Sequence, residues 1–299
     1  MTTYAPAEKV IPIIRVPPPA FSDIAKASND LINKDFYHAA AAALEVKLKA
    51  PNGVNFTAKG TSPHEGPVSS SLEGKKALSN GISITQSWNT ANLLATKVEL
   101  NDTLASGLKA EVLSNFNPAS GNKGQKLNLH FKQGFVHGRF FGDLNPSGAV
   151  SAIADAVVSH EGFVVGGEVG YDVQKAAITK YSAAVGYTTP IYNAAITATN
   201  SLNVFTASYY QKVNTAVEAG AKATWDAKQG SAVGLELAAK YKLDSASFAK
   251  AKINNFGIAS LAYNTKVNSG LTFGIGGSFD TQKLNESNHK LGTSFTFEG

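Results

Sequence analysis

The sequence predicts an all-β protein, a transmembrane β-barrel of many strands with one short helix ahead of it. Three observations point there. From about residue 38 to the end, apolar and polar residues alternate with a period of two. Turn signals break that alternation at short intervals. No stretch of about 18 apolar residues exists to cross a bilayer as a helix, so any crossing falls to strands.

The elements follow in order. Residues 1–20 hold five of the 11 prolines, including Pro17-Pro18-Pro19, and are expected to be extended or disordered. Residues 21–36 read as one amphipathic helix, with Ser22 or Asp23 as its cap. Ile24, Leu31 and Ile32 share one face, with Phe21 and Ala27 or Ser28 beside them; Asp23, Lys26, Asn29, Asp30, Asn33 and Lys34 form the other. So thin an apolar face must pack on something larger. Residues 38–299 form the barrel. Leu94, Thr96, Val98 and Leu100 alternate with Ala95, Lys97 and Glu99; Val233, Leu235, Leu237, Ala239 and Tyr241 alternate with Gly234, Glu236, Ala238 and Lys240. Asn52-Gly53, Asn80-Gly81, Ser106-Gly107, Asn117-Pro118, Asn145-Pro146, Gln229-Gly230 and Ser269-Gly270 mark turns. Strands of roughly nine to eleven residues suit a tilted bilayer crossing.

Composition narrows the function. The 299 residues carry 27 Lys+Arg against 22 Asp+Glu, a net charge of +5, and no Cys. Only Arg15 and Arg139 are arginine, and the lysines are spread along the chain, which argues against nucleic acid as a partner. Without Cys there is no disulfide scaffold, thiolate metal site or Cys nucleophile. No N-terminal segment has the order of a secretory signal. Low mean hydropathy does not argue for a soluble protein, because alternation averages it out.

Alternation by itself fits a soluble β-sandwich as well as a membrane barrel. Three features favour the membrane. The strands form one unbroken series that must close or leave long edges. A series this long closes around water rather than a packed core. The polar faces hold Lys97, Lys109, Glu111, Lys132, Glu218, Lys222, Glu236, Lys240, Lys250 and Lys252, and no second apolar set exists to fill an interior.

The segment from Tyr241-Lys242-Leu243-Asp244-Ser245-Ala246-Ser247 through Ala251-Lys252-Ile253-Asn254-Asn255 to Ser260-Leu261-Ala262-Tyr263 resembles the long signature of the mitochondrial porins, the voltage-dependent anion channels, in their fungal form. Phe21-Ser22-Asp23-Ile24 to Asn29-Asp30-Leu31-Ile32-Asn33-Lys34-Asp35-Phe36 resembles their N-terminal helix, and Gly107-Leu108-Lys109, His160-Glu161-Gly162, Gln211-Lys212-Val213-Asn214 and His289-Lys290-Leu291-Gly292 resemble further family segments. The resemblance implies a 19-stranded barrel whose first and last strands pair in parallel. It implies a helix in the lumen and passive transport of ATP, ADP, phosphate and organic anions across the mitochondrial outer membrane. The sequence departs from the family in two places. About 15 residues precede the usual start near Val16, and Gln86 stands where many animal members carry a membrane-facing Glu.

In that light Gly107, Leu108 and Lys109, with Lys26 and Lys34, are expected to contact nucleotides or anions in the lumen. Asp30, Lys34, Lys97, Lys222, Lys240 and Lys252 are expected to set voltage sensing or selectivity, because a ring of Lys lowers the barrier for anions. The last strand, with Lys290, Gly292, Phe295 and Phe297 in the order polar, Gly, hydrophobic, hydrophobic, resembles the insertion signal of mitochondrial barrels. The partners expected are membrane lipid, nucleotides and anionic metabolites as permeants, the mitochondrial import and barrel-insertion machinery, and a second copy in a homo-oligomer. No catalytic residue, metal or cofactor is expected: His38, His64, His130, His137, His160 and His289 are scattered, and Gly121-Asn122-Lys123-Gly124 lacks the ending of a phosphate loop. A barrel that threads unfolded proteins is the alternative, disfavoured by the Lys excess. A soluble β-rich binding protein is a weaker one.

Overall fold

The computed structural model describes residues 17–230, 232–287 and 289–299; the Pro-rich stretch 1–16 lies outside them. A 3-10 turn (Phe21–Asp23) leads into helix α1 (Lys26–Asn33), and a second 3-10 turn (Tyr37–Ala39) leads into the barrel. Among the described residues the strands are β1 (Ala42–Lys49), β2 (Val54–Ser62), β3 (Ser69–Ala77), β4 (Ile82–Asn89), β5 (Leu94–Asn101), β6 (Leu108–Phe116), β7 (Lys123–Gln133), β8 (Val136–Leu144), β9 (Val150–His160), β10 (Phe163–Asp172), β11 (Ala177–Thr188), β12 (Tyr192–Thr199), β13 (Val204–Lys212), β14 (Val217–Asp226), β15 (Gly234–Lys242), β16 (Ser247–Asn254), β17 (Ile258–Asn268), β18 (Leu271–Asp280) and β19 (Lys290–Glu298). Each pairs antiparallel with the next, and β19 returns to pair with β1, closing a 19-stranded barrel. Strand direction reverses at every hairpin. With an odd number of strands the first and last run the same way, so the closing pair is parallel, with Leu44 opposite Phe295 and Val46 opposite Phe297.

The register assigns the two faces. Ile84, Val98, Val112 and Leu127 form one continuous cross-strand row, and Ser83, Glu99, Glu111 and Asn128 form the next. Side chains along the apolar rows stay open to the surroundings: Val165 is 57% exposed, Leu237 58% and Leu261 57%. In water such a surface would cost about 25 cal/mol per Å², so it belongs against lipid. Aromatics gather at both rims, as interfacial residues do. Phe163, Tyr187, Tyr192 and Tyr209 follow one another around one rim with neighbouring ring centres 4.6–6.4 Å apart. Phe205 and Trp225 pair at the other, 5.7 Å apart.

The large buried apolar side chains belong to the N-terminal segment and the wall beneath it. Phe21, Ile24 and Ala25 pack on Val157, Val164, Ala184 and Ala195 of β9–β12. Leu31 and Ile32 pack on Ala238, with Tyr210 alongside. This is the apolar face expected from the helical period, with Ser28 rather than Ala27 buried beside it and Ala25 added to it. The helix is shorter than the 21–36 segment. Ala25, with φ −100° and ψ 20°, divides it into a 3-10 turn and α1, so that Phe21 and Ile24 reach one wall patch and Leu31 and Ile32 another. Neither Ser22 nor Asp23 caps it; no side chain does. The strands begin at Ala42 rather than 38, because Tyr37 turns inward and seats its ring over Gly274 of β18, where any Cβ would overlap it.

Candidate functional site

The inward rows make the site. The helix segment lies inside the barrel on β9–β15, and the turn Tyr37–Ala39 packs on β18 and β19. Polar tethers hold it at both ends. Arg139 grips Asp155 through Nε, 3.0 Å from each carboxylate oxygen, and through Nη2 at 2.7 Å, and donates from Nη1 to Ser22 Oγ at 3.2 Å. Such a paired guanidinium–carboxylate fork is both strong and directional. His137 Nδ1 lies 3.2 Å from the Pro18 carbonyl, and Asn193 Nδ2 donates to the Ile24 carbonyl at 3.2 Å. At the far end Lys250 Nζ donates to the carbonyls of Asp30 and Lys34, and Asn264 donates to the Tyr37 hydroxyl.

The exposed helix face carries Asp30 between Lys26 and Lys34, at 3.3 and 3.0 Å. Burial would raise the Asp30 pKa, but hydrogen bonds from Lys34 and Lys26 outweigh it and hold the carboxyl below its usual value. The Asp30 hydrogen bond raises Lys34 in turn. Burial, then the negative charge of Asp35, pushes the Tyr37 phenol up to about 12. Burial, then the positive charges of Lys252 and Lys290, lowers the His38 pKa. A lumen cavity of about 1520 Å³ runs beside the helix, lined among others by Lys26, Asp30, Lys34, Lys212, Lys240 and Lys250.

The expected charged residues separate into two groups. Lys97 and Lys109 face inward but share Glu99, at 3.2 and 3.0 Å, and Lys109 also meets Glu111 at 2.6 Å. Lys222 lies 3.7 Å from Glu236. Lys240 and Lys252 have no carboxylate within 4.0 Å among the described residues; Lys240 sits over the Phe248 ring at 4.2 Å and Lys252 over Phe36 at 4.7 Å. Gly107 is a turn residue with φ +80°, where a Cβ would strike the Lys132 carbonyl. Leu108 lies in the outward row opposite Phe131, so of this triplet only Lys109 reaches the lumen. Phe295 and Phe297 lie in the outward row of the closing seam, while Lys290 and Gly292 face inward. Gln86 faces outward and accepts a hydrogen bond from Thr96 at 3.0 Å.

Glu99, Lys250, Arg139 with Asp155, and Tyr37 were not singled out as site residues in the sequence. Arg139 carried a weak signal as one of only two arginines. Among the described residues no group of three or more His, Cys, Asp or Glu is placed to hold a metal ion. The arrangement is a charged aqueous passage, narrowed by a segment that rests on the wall.

The chain is similar to known proteins along most of its length. The family described as eukaryotic porin matches residues 17–292. The mitochondrial outer membrane protein porin of Neurospora crassa is 59% identical over 281 residues, spanning 94% of this chain and 99% of that protein. The protein of the same description in Candida albicans is 48% identical over 281 residues, again 94% and 99%. Non-selective voltage-gated ion channel 1 of Saccharomyces cerevisiae is 39% identical over 284 residues, 94% of this chain and 99% of that one.

Proposed function

This chain belongs to the eukaryotic porin family, and from that premise we propose that it is a voltage-gated, weakly anion-selective passive channel of the mitochondrial outer membrane. It carries small metabolites such as ATP, ADP, phosphate and organic anions, together with inorganic ions. A passive channel needs no catalytic residue, metal or cofactor. The observation that carries the reading is the closed barrel with lipid-facing apolar rows outside and a charged lumen within. Anion preference rests on Lys240 and Lys252, which have no carboxylate within 4.0 Å among the described residues. Positive groups lining a water-filled pore lower the electrostatic barrier for anions, and the preference shrinks at high salt through screening. Those same lysines oppose a lumen that attracts basic presequences, as a protein-import barrel would need.

The test is the reversal potential across a salt gradient for Lys240→Glu combined with Lys252→Glu. The double variant shifts towards cations, because it changes the lumen charge by four units at two lysines that have no carboxylate within 4.0 Å among the described residues. An unchanged reversal potential in the double variant would remove these residues from the account.

A further inference from the structure

One inward-facing carboxylate has three lysines. Glu99 of β5 is almost wholly covered, its side chain 5% exposed. Its Oε2 accepts from Lys75 Nζ at 2.8 Å and Ser83 Oγ at 3.0 Å; its Oε1 lies 3.2 Å from Lys97 Nζ and 3.0 Å from Lys109 Nζ. The cluster spans the inward faces of β3, β4, β5 and β6, on the side of the ring away from β13–β15, where α1 rests. Every partner donates and none accepts, so the carboxylate has no use for a proton.

One lysine would suffice to neutralise a covered carboxylate. Three do something else. Lysine is a charge on a long flexible stem, free to reach into the aqueous pore or lie back on the wall. Tied to Glu99, the ammonium groups of Lys75, Lys97 and Lys109 are drawn to one point on the wall and lose one unit of their summed charge. With Glu111 included the group carries +1, three lysines against two carboxylates.

We infer that Glu99 is a selectivity-determining residue: it gathers three lumen lysines on the wall and holds the pore's anion preference below what those lysines would otherwise set. The inference rests on the channel function proposed above. Without the carboxylate the ammonium groups repel one another, spread into the lumen, and the local charge doubles.

The experiment is the permeability ratio of anion to cation from the reversal potential of the reconstituted full chain at low salt. Glu99→Gln raises the ratio by about 1.5- to 2-fold, the effect of one added unit charge seen across roughly a Debye length of water. Glu298→Gln, which removes one of the two carboxylates beside the exposed Lys47 and leaves Glu45 in place, raises it less. Adding Lys75→Gln to Glu99→Gln returns the ratio to the wild-type value. If Glu99→Gln alone forms no channels, the same pair is compared with Lys75→Gln: the pair has the higher ratio. An unchanged or lower ratio in Glu99→Gln, or a pair no different from Lys75→Gln, overturns the inference. The wild-type ratio tests the channel function separately. A wild type that prefers cations, yet moves towards anions in Glu99→Gln, contradicts that reading and keeps this one.

Discussion

Lys250 Nζ on the barrel wall donates to the carbonyl oxygen of Lys34 at 2.7 Å, and to that of Asp30 at 3.2 Å. A helix ends with unsatisfied carbonyls and a partial negative charge, and here a lysine from a strand supplies what the helix lacks. The Phe36 ring extends the latch, with the ammonium groups of Lys250 and Lys252 at 4.9 and 4.7 Å.

Lys250→Met removes both hydrogen bonds and keeps the bulk of the side chain. A hydrogen bond to a charged group contributes about 1.5–3 kcal/mol, comparable to one buried apolar residue of the helix face. The variant should leave the high-conductance state at a smaller voltage than wild type, with the open-state conductance retained. Identical conductance–voltage curves would mean that the helix stays put when the pore closes.

Asp30 and Lys34 lie on the lumen side of α1, where the transmembrane field is worth about 2.3 kcal/mol per charge per 100 mV. Asp30→Lys and Lys34→Glu should each change the steepness of conductance against voltage. The pH dependence has a definite sign. A carboxyl whose pKa is depressed on folding contributes stability above its unfolded value, roughly 4, and loses it as pH falls through the folded value. Wild-type gating should therefore hold steady down to about pH 5 and approach that of Asp30→Asn only below roughly pH 4. Convergence already near neutral pH would assign the titration to another group.

Gly292 faces inward beneath the Tyr37 and Ala40 carbonyls, where any Cβ would overlap them. Phe295 lies opposite Leu44 across the closing seam, and its ring centre is 5.1 Å from that of Phe273. Substitutions here should damage closure before any insertion signal is read. Gly292→Ala should lower the yield of folded barrel on refolding in detergent, where no insertion machinery is present. A wild-type yield, with failure confined to intact mitochondria, would make Gly292 purely a signal.

Local features were legible in the sequence because their causes are local. Leu94, Thr96, Val98 and Leu100 declare one face by alternation, and Ile24, Leu31 and Ile32 declare another by the helical period. Each turn signal from Asn52-Gly53 to Ser269-Gly270 lies in a connection between strands. The break at Ala25 was hidden, since two separate wall patches impose it. Lys97 and Lys109 were readable as inward-facing, but the reach of Lys109 to Glu99 depends on the register of β5 against β6. Lys250 meets Lys34 across 216 residues of chain, a separation no periodicity reports.

The most direct test is a planar-bilayer recording of the purified chain across a salt gradient. A voltage-gated, anion-preferring pore gives long-lived conductance steps, a reversal potential of the anion-preferring sign at low salt, and a fall to narrower states as voltage of either sign increases. A preparation that inserts yet gives no steps, or steps that ignore voltage and favour cations, would contradict that function.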